Sequence, residues 1–196
     1  MNERLEKQLR FLLEIDKEKQ IFRQTSILGG SRRENDAEHA WHMAIMAFVL
    51  KEYANEEVDV LHVMEMVLMH DLVEIYAGDT YAYDEEGKKS QAEREQKAAD
   101  KIYGMLPEDQ GKEFRAIWEE FEKRETPEAK FARLLDNYQP LSLNNANNGA
   151  DWRSHDVARS QVEKRNAISS EGSEVIGAYI QKLIDENVKK GNLRDA

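Results

Sequence analysis

The chain has 196 residues, of which 40% are hydrophobic and 34% charged, and it contains no cysteine. This composition predicts one soluble globular domain, residues 1–196, and excludes disulfides and thiolate metal sites. The formal net charge of −11 disfavours nonspecific binding to nucleic acid or to an anionic membrane. The longest apolar run, Met43 to Leu50, is too short to span a bilayer, and the amino terminus shows no apolar signal region, so we expect a cytoplasmic protein.

Apolar residues at helical spacing mark the first half of the chain. Residues 5–15 carry a leucine and isoleucine stripe, which predicts a first helix over about the first twenty residues. A polar loop is expected from roughly Thr25 to Asn35. Asp36 is the predicted N-cap of a second helix, which carries His39 near its start. Asp59 is the predicted cap of a third helix.

The second half contains start signals for five further helices, predicted over residues 90–106, 107–121, 127–136, 157–168 and 173–188. Ser90 with Glu93 matches a capping box, and Thr126 before Pro127 is a cap followed by proline at the first helical position. Asn144 to Asp151, rich in Asn and Gly, is expected to be a loop. Because no segment alternates with period two, the sequence predicts an all-α fold of about seven to nine packed helices.

The ten residues from His70 to Asp79 hold five groups able to ligate metal or move protons or charge. On a helix, His70 and Asp71 point about 100° apart and can share the rim of one face. Glu74 follows one turn after His70 on the same side. Gly78 is the residue expected just past a helix end, which places Asp79 in a loop beside the same site. A solvated helix end with incidental charges is the alternative for this stretch taken alone.

Four residues on three predicted helices form a candidate metal set: His39, His70, Asp71 and Asp136. Two imidazoles and two carboxylates suit a borderline divalent ion such as Mn, Fe, Co, Ni or Zn. Water or substrate would fill the remaining coordination positions. Spacing alone does not establish that the three helices meet.

The order of these residues resembles a known signature. The segments Ala37-Glu38-His39-Ala40, His70-Asp71 and Leu134-Leu135-Asp136-Asn137 are similar to the H…HD…D pattern of HD-domain phosphohydrolases. Arg23 upstream, together with Glu74 and Gly78-Asp79, extends the likeness to the 5′-deoxynucleotidase branch of that superfamily. The resemblance covers roughly residues 10 to 140.

The resemblance implies one HD domain, with the metal and catalytic motifs within about residues 20–140 and the C-terminal helices packed onto it. It implies a single divalent metal held by His39, His70, Asp71 and Asp136. It also implies an enzyme that cleaves a (deoxy)nucleoside 5′-monophosphate to nucleoside and phosphate, acting as a homodimer.

Roles for further residues come from the same resemblance. Glu74 and Asp79 would be the proton-handling pair, one orienting the water and one protonating the leaving 5′-oxygen. Arg23 would hold the phosphate with its forked guanidinium. The segment Thr80-Tyr81-Ala82-Tyr83 should help to line the substrate pocket, and it lacks the proline found there in many relatives. His155 is a further candidate pocket residue.

Other readings stay open at this stage. One is a different HD chemistry, such as cleavage of nucleoside triphosphates or cyclic nucleotides. Another is a nucleotide-binding regulator without turnover, against which the presence of both Glu74 and Asp79 argues. The last is a helical interaction module with no site. Arg32 and Arg33 read as a solvated pair, and His42 and His62 as histidines that pack or face solvent.

Overall fold

The structure, a computed structural model, describes residues 2–196. Within this range there are eleven α-helices, of which nine have at least five residues, so the predicted all-α fold of seven to nine helices is confirmed. They are, in chain order, α1 (Glu3–Glu14), α2 (Asp36–Leu50), α3 (Val60–Met69), α4 (Glu74–Ala77), α5 (Glu85–Tyr103), α6 (Glu108–Lys123), α7 (Pro127–Ala146), α8 (Ala150–Ser154), α9 (Arg159–Asn166), α10 (Ser169–Gly172) and α11 (Glu174–Lys189). No helix in residues 2–196 combines the length and the apolar character needed to cross a membrane.

A small antiparallel hairpin occupies most of the predicted polar loop. Its strands are β1 (Phe22–Ser26) and β2 (Arg33–Asn35), with Phe22 opposite Asn35. The loop prediction is confirmed for residues 27–32 and was wrong at both ends, because strands of five and three residues are too short to show a period-two pattern. Asp151 anchors the hairpin, since its carboxylate accepts hydrogen bonds from the Ser26 backbone N–H at 2.8 Å and hydroxyl at 2.9 Å.

Two helix starts differ from the predictions. Asn35, and not Asp36, caps α2: its side chain accepts from the Glu38 backbone N–H at 2.9 Å, and Glu38 completes the capping box. Asp36 is therefore one residue inside the helix and fully buried. Asp84, and not Ser90, caps α5, so this helix begins about a turn and a half before the predicted start. The predicted caps Asp59 and Thr126 are confirmed.

Helix α7 continues through Pro140, where the sequence pattern predicted an end. Pro140 has no N–H to donate to the Asp136 carbonyl, which normally breaks a helix. Leu135, Leu141 and Leu143 are buried on both sides of it, so packing holds the helix together as far as Ala146. Most of the predicted loop from Asn144 to Asp151 is consequently helical, and only 147–149 separates α7 from α8.

The main core lies where α2, α3 and α7 pack together, with α11 closing it from the C-terminal side. Met43, Val63, Phe131 and Ile184 represent the four helices in this core, and each is almost fully buried. The start of α2, the end of α3 and the middle of α7 meet at one edge of the core. Polar side chains from these three places form the candidate site.

The apolar stripe of α1 is largely outside the core. Phe11 is buried, but Leu5, Leu9, Leu12 and Leu13 are exposed. The outer face of α2 is also apolar and exposed, through Trp41, Ile45, Phe48 and Val49. These two helices therefore carry apolar surface that the described residues do not cover.

Candidate active site

His39 enters the site from the first turn of α2 and is fully buried. Its Nδ1–H donates to the Gln139 carboxamide oxygen at 2.9 Å, because the Gln139 nitrogen itself donates to Glu34 and His42. Its Nε2 lies 3.2 Å from Asp136 Oδ1. Gln139 thus fixes the ring so that Nε2 faces Asp136.

His70 follows the last residue of α3, in the turn that leads to α4. Its Nδ1–H donates to the Val67 carbonyl at 2.8 Å. Its buried Nε2 lies 3.1 Å from Asp71 Oδ2 and 3.9 Å from Asp136 Oδ1, but no described atom forms a well-aligned hydrogen bond with it. The prediction that His70 and Asp71 lie on a helix was therefore wrong: α3 ends at Met69, and Asp71 belongs to the same turn.

Asp136, in the middle of α7, links the two histidines. The donor atoms of His39, His70 and Asp136 lie within 4.8 Å of one another, close enough for one metal ion. The unpartnered Nε2 of His70 and the mixed imidazole and carboxylate donors fit such an ion. Asp71 is adjacent to this group through its 3.1 Å approach to His70.

The electrostatics of the site favour a cation. Burial opposes protonation of His70, but Asp71 and Asp136 outweigh it and raise the His70 pKa to about 9. Burial raises the pKa of Asp136, yet Arg165, Arg133 and His39 overcome it and hold that pKa well below the usual range. A metal ion would displace the proton from His70, since ligand imidazoles bind in the neutral form.

Arg23, carried by β1, lies among the carboxylates of this site. One guanidinium nitrogen donates to Asp36 Oδ1 at 3.1 Å and to Asp71 Oδ2 at 2.7 Å, and the other lies 3.9 Å from Asp136 Oδ1. Sequence reasoning missed Asp36, which it treated as a helix cap. Burial and the Asp71 charge raise the pKa of Asp36 to about 7.

Glu74 and Asp79 border the same group. Glu74 opens α4, and burial, with Asp71 and Asp36 nearby, raises its pKa well above the usual value. Gly78 follows the last residue of α4 and has a φ of +76°, so the glycine predicted just past the helix end is confirmed. It brings the half-buried Asp79 back to the site, where burial also raises the Asp79 pKa.

A cavity of about 110 Å³ opens in front of these groups. Six of the seven predicted site residues line it, namely Arg23, His70, Asp71, Glu74, Asp79 and Asp136, while His39 lies behind them. Thr80 to Tyr83 form one wall, in the place that the sequence predicted. Trp152 also lines the cavity. His155 is exposed outside the lining, with its ring centroid 4.9 Å from that of Tyr81.

Two arginines that line the cavity were not found from the sequence. Arg133 Nη1 lies 3.2 Å from Asp136 Oδ2, and the spacing of three residues between them on one helix was a signal that could have revealed it. Arg165 Nη2 lies 3.5 Å from the same oxygen, but Arg165 comes from α9 and carries no local signal. Arg32 pairs with Glu38 at the surface, as expected for a solvated residue.

Known proteins resemble this chain in sequence and in fold. A family model described as the HD domain matches residues 15–176. A solved structure from Magnetospirillum magnetotacticum, described as a predicted metal-dependent phosphohydrolase, is 49% identical with a TM-score of 0.92, covering 97% of this chain and 95% of that one. An HD-domain phosphohydrolase from Listeria innocua, 19% identical over 92% of this chain and 85% of its own, shares the fold with a TM-score of 0.59.

Curated relatives match a shorter stretch. The human 5′-deoxynucleotidase HDDC2 is 35% identical over 105 residues, which are 54% of this chain and 50% of that protein. The Dictyostelium discoideum protein of the same name is 32% identical over 113 residues, 55% of this chain and 60% of that protein. The chain thus spans about half the length of the human relative it matches. Because the HD-domain model covers most of the chain and the Magnetospirillum relative aligns over nearly all of it, this protein belongs to the HD-domain family.

Proposed function

We propose that this protein is a metal-dependent phosphohydrolase that cleaves (deoxy)nucleoside 5′-monophosphates to nucleoside and phosphate. The observation that carries the proposal is the convergence of His39, His70 and Asp136 within 4.8 Å, at a cavity that also holds Glu74 and Asp79. The names of the curated relatives support the substrate class.

In this proposal His39, His70, Asp71 and Asp136 hold one divalent ion, with Mn, Co, Fe, Ni and Zn all suited to the donors. The ion would polarise a phosphoryl oxygen and lower the pKa of a water molecule. The two histidines are prepared for this role because Gln139 and the Val67 carbonyl accept their Nδ1 protons, which leaves Nε2 for the ion.

Glu74 and Asp79 form the proposed proton-handling pair. In an in-line displacement the attacking and leaving oxygens lie on opposite sides of phosphorus. One carboxyl group orients the attacking water, and the other gives its proton to the leaving 5′-oxygen. Burial and the neighbouring carboxylates raise the pKa of both groups above the usual carboxyl value, which favours the protonated form that an acid needs.

Arg23 is the proposed phosphate-binding residue. Its side chain is only 12% exposed and it lines the cavity. Asp36 and Asp71 hold one guanidinium nitrogen, while the buried Nε has no described hydrogen-bond partner. The guanidinium is thus fixed in place with donors remaining for phosphate oxygens.

We also propose a homodimer. The exposed apolar residues of α2, represented by Trp41 and Phe48, and those of α1, represented by Leu9 and Leu13, form surfaces that a second copy would cover. Light scattering that shows only monomer at micromolar concentration would contradict this. The cytoplasmic location, the single domain over residues 1–196 and the absence of nucleic-acid and membrane partners stay predictions.

The proposal is tested by measuring phosphate release from a panel of nucleotides. The panel contains deoxy- and ribonucleoside 5′-monophosphates, nucleoside triphosphates and a cyclic nucleotide. Each reaction is run after metal stripping and again with Mn, Co, Mg or Zn restored. We expect metal-dependent release from the monophosphates, with the deoxy-to-ribo ratio reporting sugar preference. Release only from triphosphates or cyclic nucleotides, or none with metal bound, would overturn the proposal.

A further inference from the structure

Two arginines lie on the far side of Asp136 from the histidines. Asp136 Oδ1 faces His39 and His70, whereas Oδ2 lies 3.2 Å from Arg133 Nη1 and 3.5 Å from Arg165 Nη2. Both arginines line the cavity, and their side chains are 21% and 20% exposed. One carboxylate therefore joins the candidate metal position to a pair of guanidinium groups.

The hydrogen-bonding capacity of the two guanidiniums is largely unused. A guanidinium has five N–H donors. Within residues 2–196, Asp136 is the one carboxylate within ion-pair distance of either arginine, and the Arg133 Nε is buried with no partner. By contrast, Arg159, on the same helix as Arg165, donates hydrogen bonds to two carboxylates, those of Glu163 and Asp185.

We propose that Arg133 and Arg165 bind the phosphate group of the substrate, next to the metal ligand Asp136. This inference rests on the proposed function and adds two residues to the phosphate site proposed for Arg23. The two positive charges exceed the one charge of Asp136, so this group of three side chains is net positive, although the cavity lining also holds carboxylates such as Glu95 and Glu122. The forked guanidiniums of Arg133 and Arg165 suit the oxygens of a phosphate monoester.

The alternative is that the two arginines only position Asp136. The two roles make different predictions for metal affinity. A positioning arginine sets the orientation and charge of a metal ligand, so its loss weakens metal binding. A phosphate-binding arginine sets the affinity for the phosphate group, and its loss leaves metal binding unchanged.

The test compares Arg165→Gln with Arg159→Gln, which makes the same charge change on the same helix outside the cavity. Four quantities are measured: metal affinity, KM for a deoxynucleoside 5′-monophosphate, the inhibition constant of inorganic phosphate, and that of the nucleoside product. For Arg165→Gln we expect KM and the phosphate constant to rise about tenfold or more, as for loss of a charged hydrogen bond. Metal affinity and nucleoside inhibition should not change, and Arg159→Gln should match the wild type.

Weaker metal binding by Arg165→Gln, with an unchanged phosphate constant at saturating metal, would overturn the proposal in favour of positioning. The proposal would also be overturned if all four quantities were unchanged in an Arg165→Gln protein whose circular dichroism spectrum matches that of the wild type. If the wild type cleaves no monophosphate, the proposed function fails separately. Calorimetric titration of the metal-loaded wild type and Arg165→Gln with inorganic phosphate then still decides whether Arg165 binds phosphate.

Discussion

The floor and the wall of the cavity are built in different ways. The floor consists of His70, Asp71 and Asp136, with His39 directly behind them, and each of the four is at most 8% exposed. These residues come from α2, α7 and the turn after α3, three places that the main core brings together. The wall, Thr80 to Tyr83, has no helix or strand and is half-buried. An Arg94 hydrogen bond of 2.7 Å to the Thr80 hydroxyl and a Tyr81–Tyr83 ring contact help to hold it.

This difference indicates that the floor and the wall of the cavity have different roles. The floor can hold a fixed arrangement of donors because moving one of them would disturb the packed core. Most of the wall can change sequence at little cost to the core, because none of its residues is fully buried and only Tyr83 among them packs against the main core. We therefore expect the floor to decide whether phosphate is released and the wall to influence which nucleoside is accepted.

Removing a floor residue should have the largest effect. His70→Ala deletes a proposed metal ligand, so we expect metal affinity to fall by more than about 100-fold, beyond the usual loss for outer-sphere changes. Phosphate release should disappear with the metal. Metal analysis and the release assay measure this, with His62→Ala, in α3 just before that turn, as the control. A His70→Ala protein with full metal content and rate would remove the floor from the mechanism.

Glu74 lies between floor and wall, and its substitution separates metal binding from turnover. Glu74→Gln keeps the size of the side chain but cannot exchange a proton as a carboxyl group does. We expect kcat to fall by about 10²–10⁴, the usual contribution of general acid–base catalysis, with metal content unchanged. Glu86→Gln, at an exposed position on α5, is the matched control. An unchanged rate for Glu74→Gln would show that the proton-handling assignment is wrong.

A change in the wall should alter substrate binding and leave the chemistry of the floor intact. Tyr81→Ala removes an aromatic ring that lines the cavity. Because stacking of a base on an aromatic ring contributes about 1–3 kcal/mol, we expect KM for nucleoside monophosphates to rise about tenfold. The kcat and the metal content should stay near wild type. Tyr81→Phe keeps the ring and is the control, and a loss of metal in Tyr81→Ala would contradict the division between wall and floor.

The smallest effect concerns a histidine outside both regions. Burial opposes protonation of His62, but Glu120 and Glu65 outweigh it and raise the His62 pKa above 6.5. Because the His62 pKa is higher in the folded protein than in the unfolded chain, protonation of His62 stabilises the folded state at pH values below the unfolded pKa. This stabilisation is lost as the pH rises through the folded pKa. His62→Gln should therefore lower Tm more at pH 5.5 than at pH 9. The pair is solvent-screened, so we expect less than about 1 kcal/mol; an equal Tm shift at both pH values would contradict the assignment.

The sequence by itself determined the features that depend on neighbouring residues. The caps at Asp59 and Thr126 were predicted correctly because a cap bonds to backbone groups within its own first turn. Gly78 was predicted for the same reason, since a positive φ past a helix end is a local requirement. The HD-domain family was predicted correctly from the sequence because its signature is an ordered set of residue types along the chain.

Only the tertiary structure decided the features that depend on distant residues. It carries α7 through Pro140, because buried leucines on both sides compensate for a missing hydrogen bond. It leaves the leucines of α1 exposed, although their spacing alone resembles that of a core helix. It also places a guanidinium nitrogen of Arg165 3.5 Å from the carboxylate of Asp136, which lies 29 positions earlier in the chain. No local pattern encodes such a meeting, because the packing of whole helices sets it.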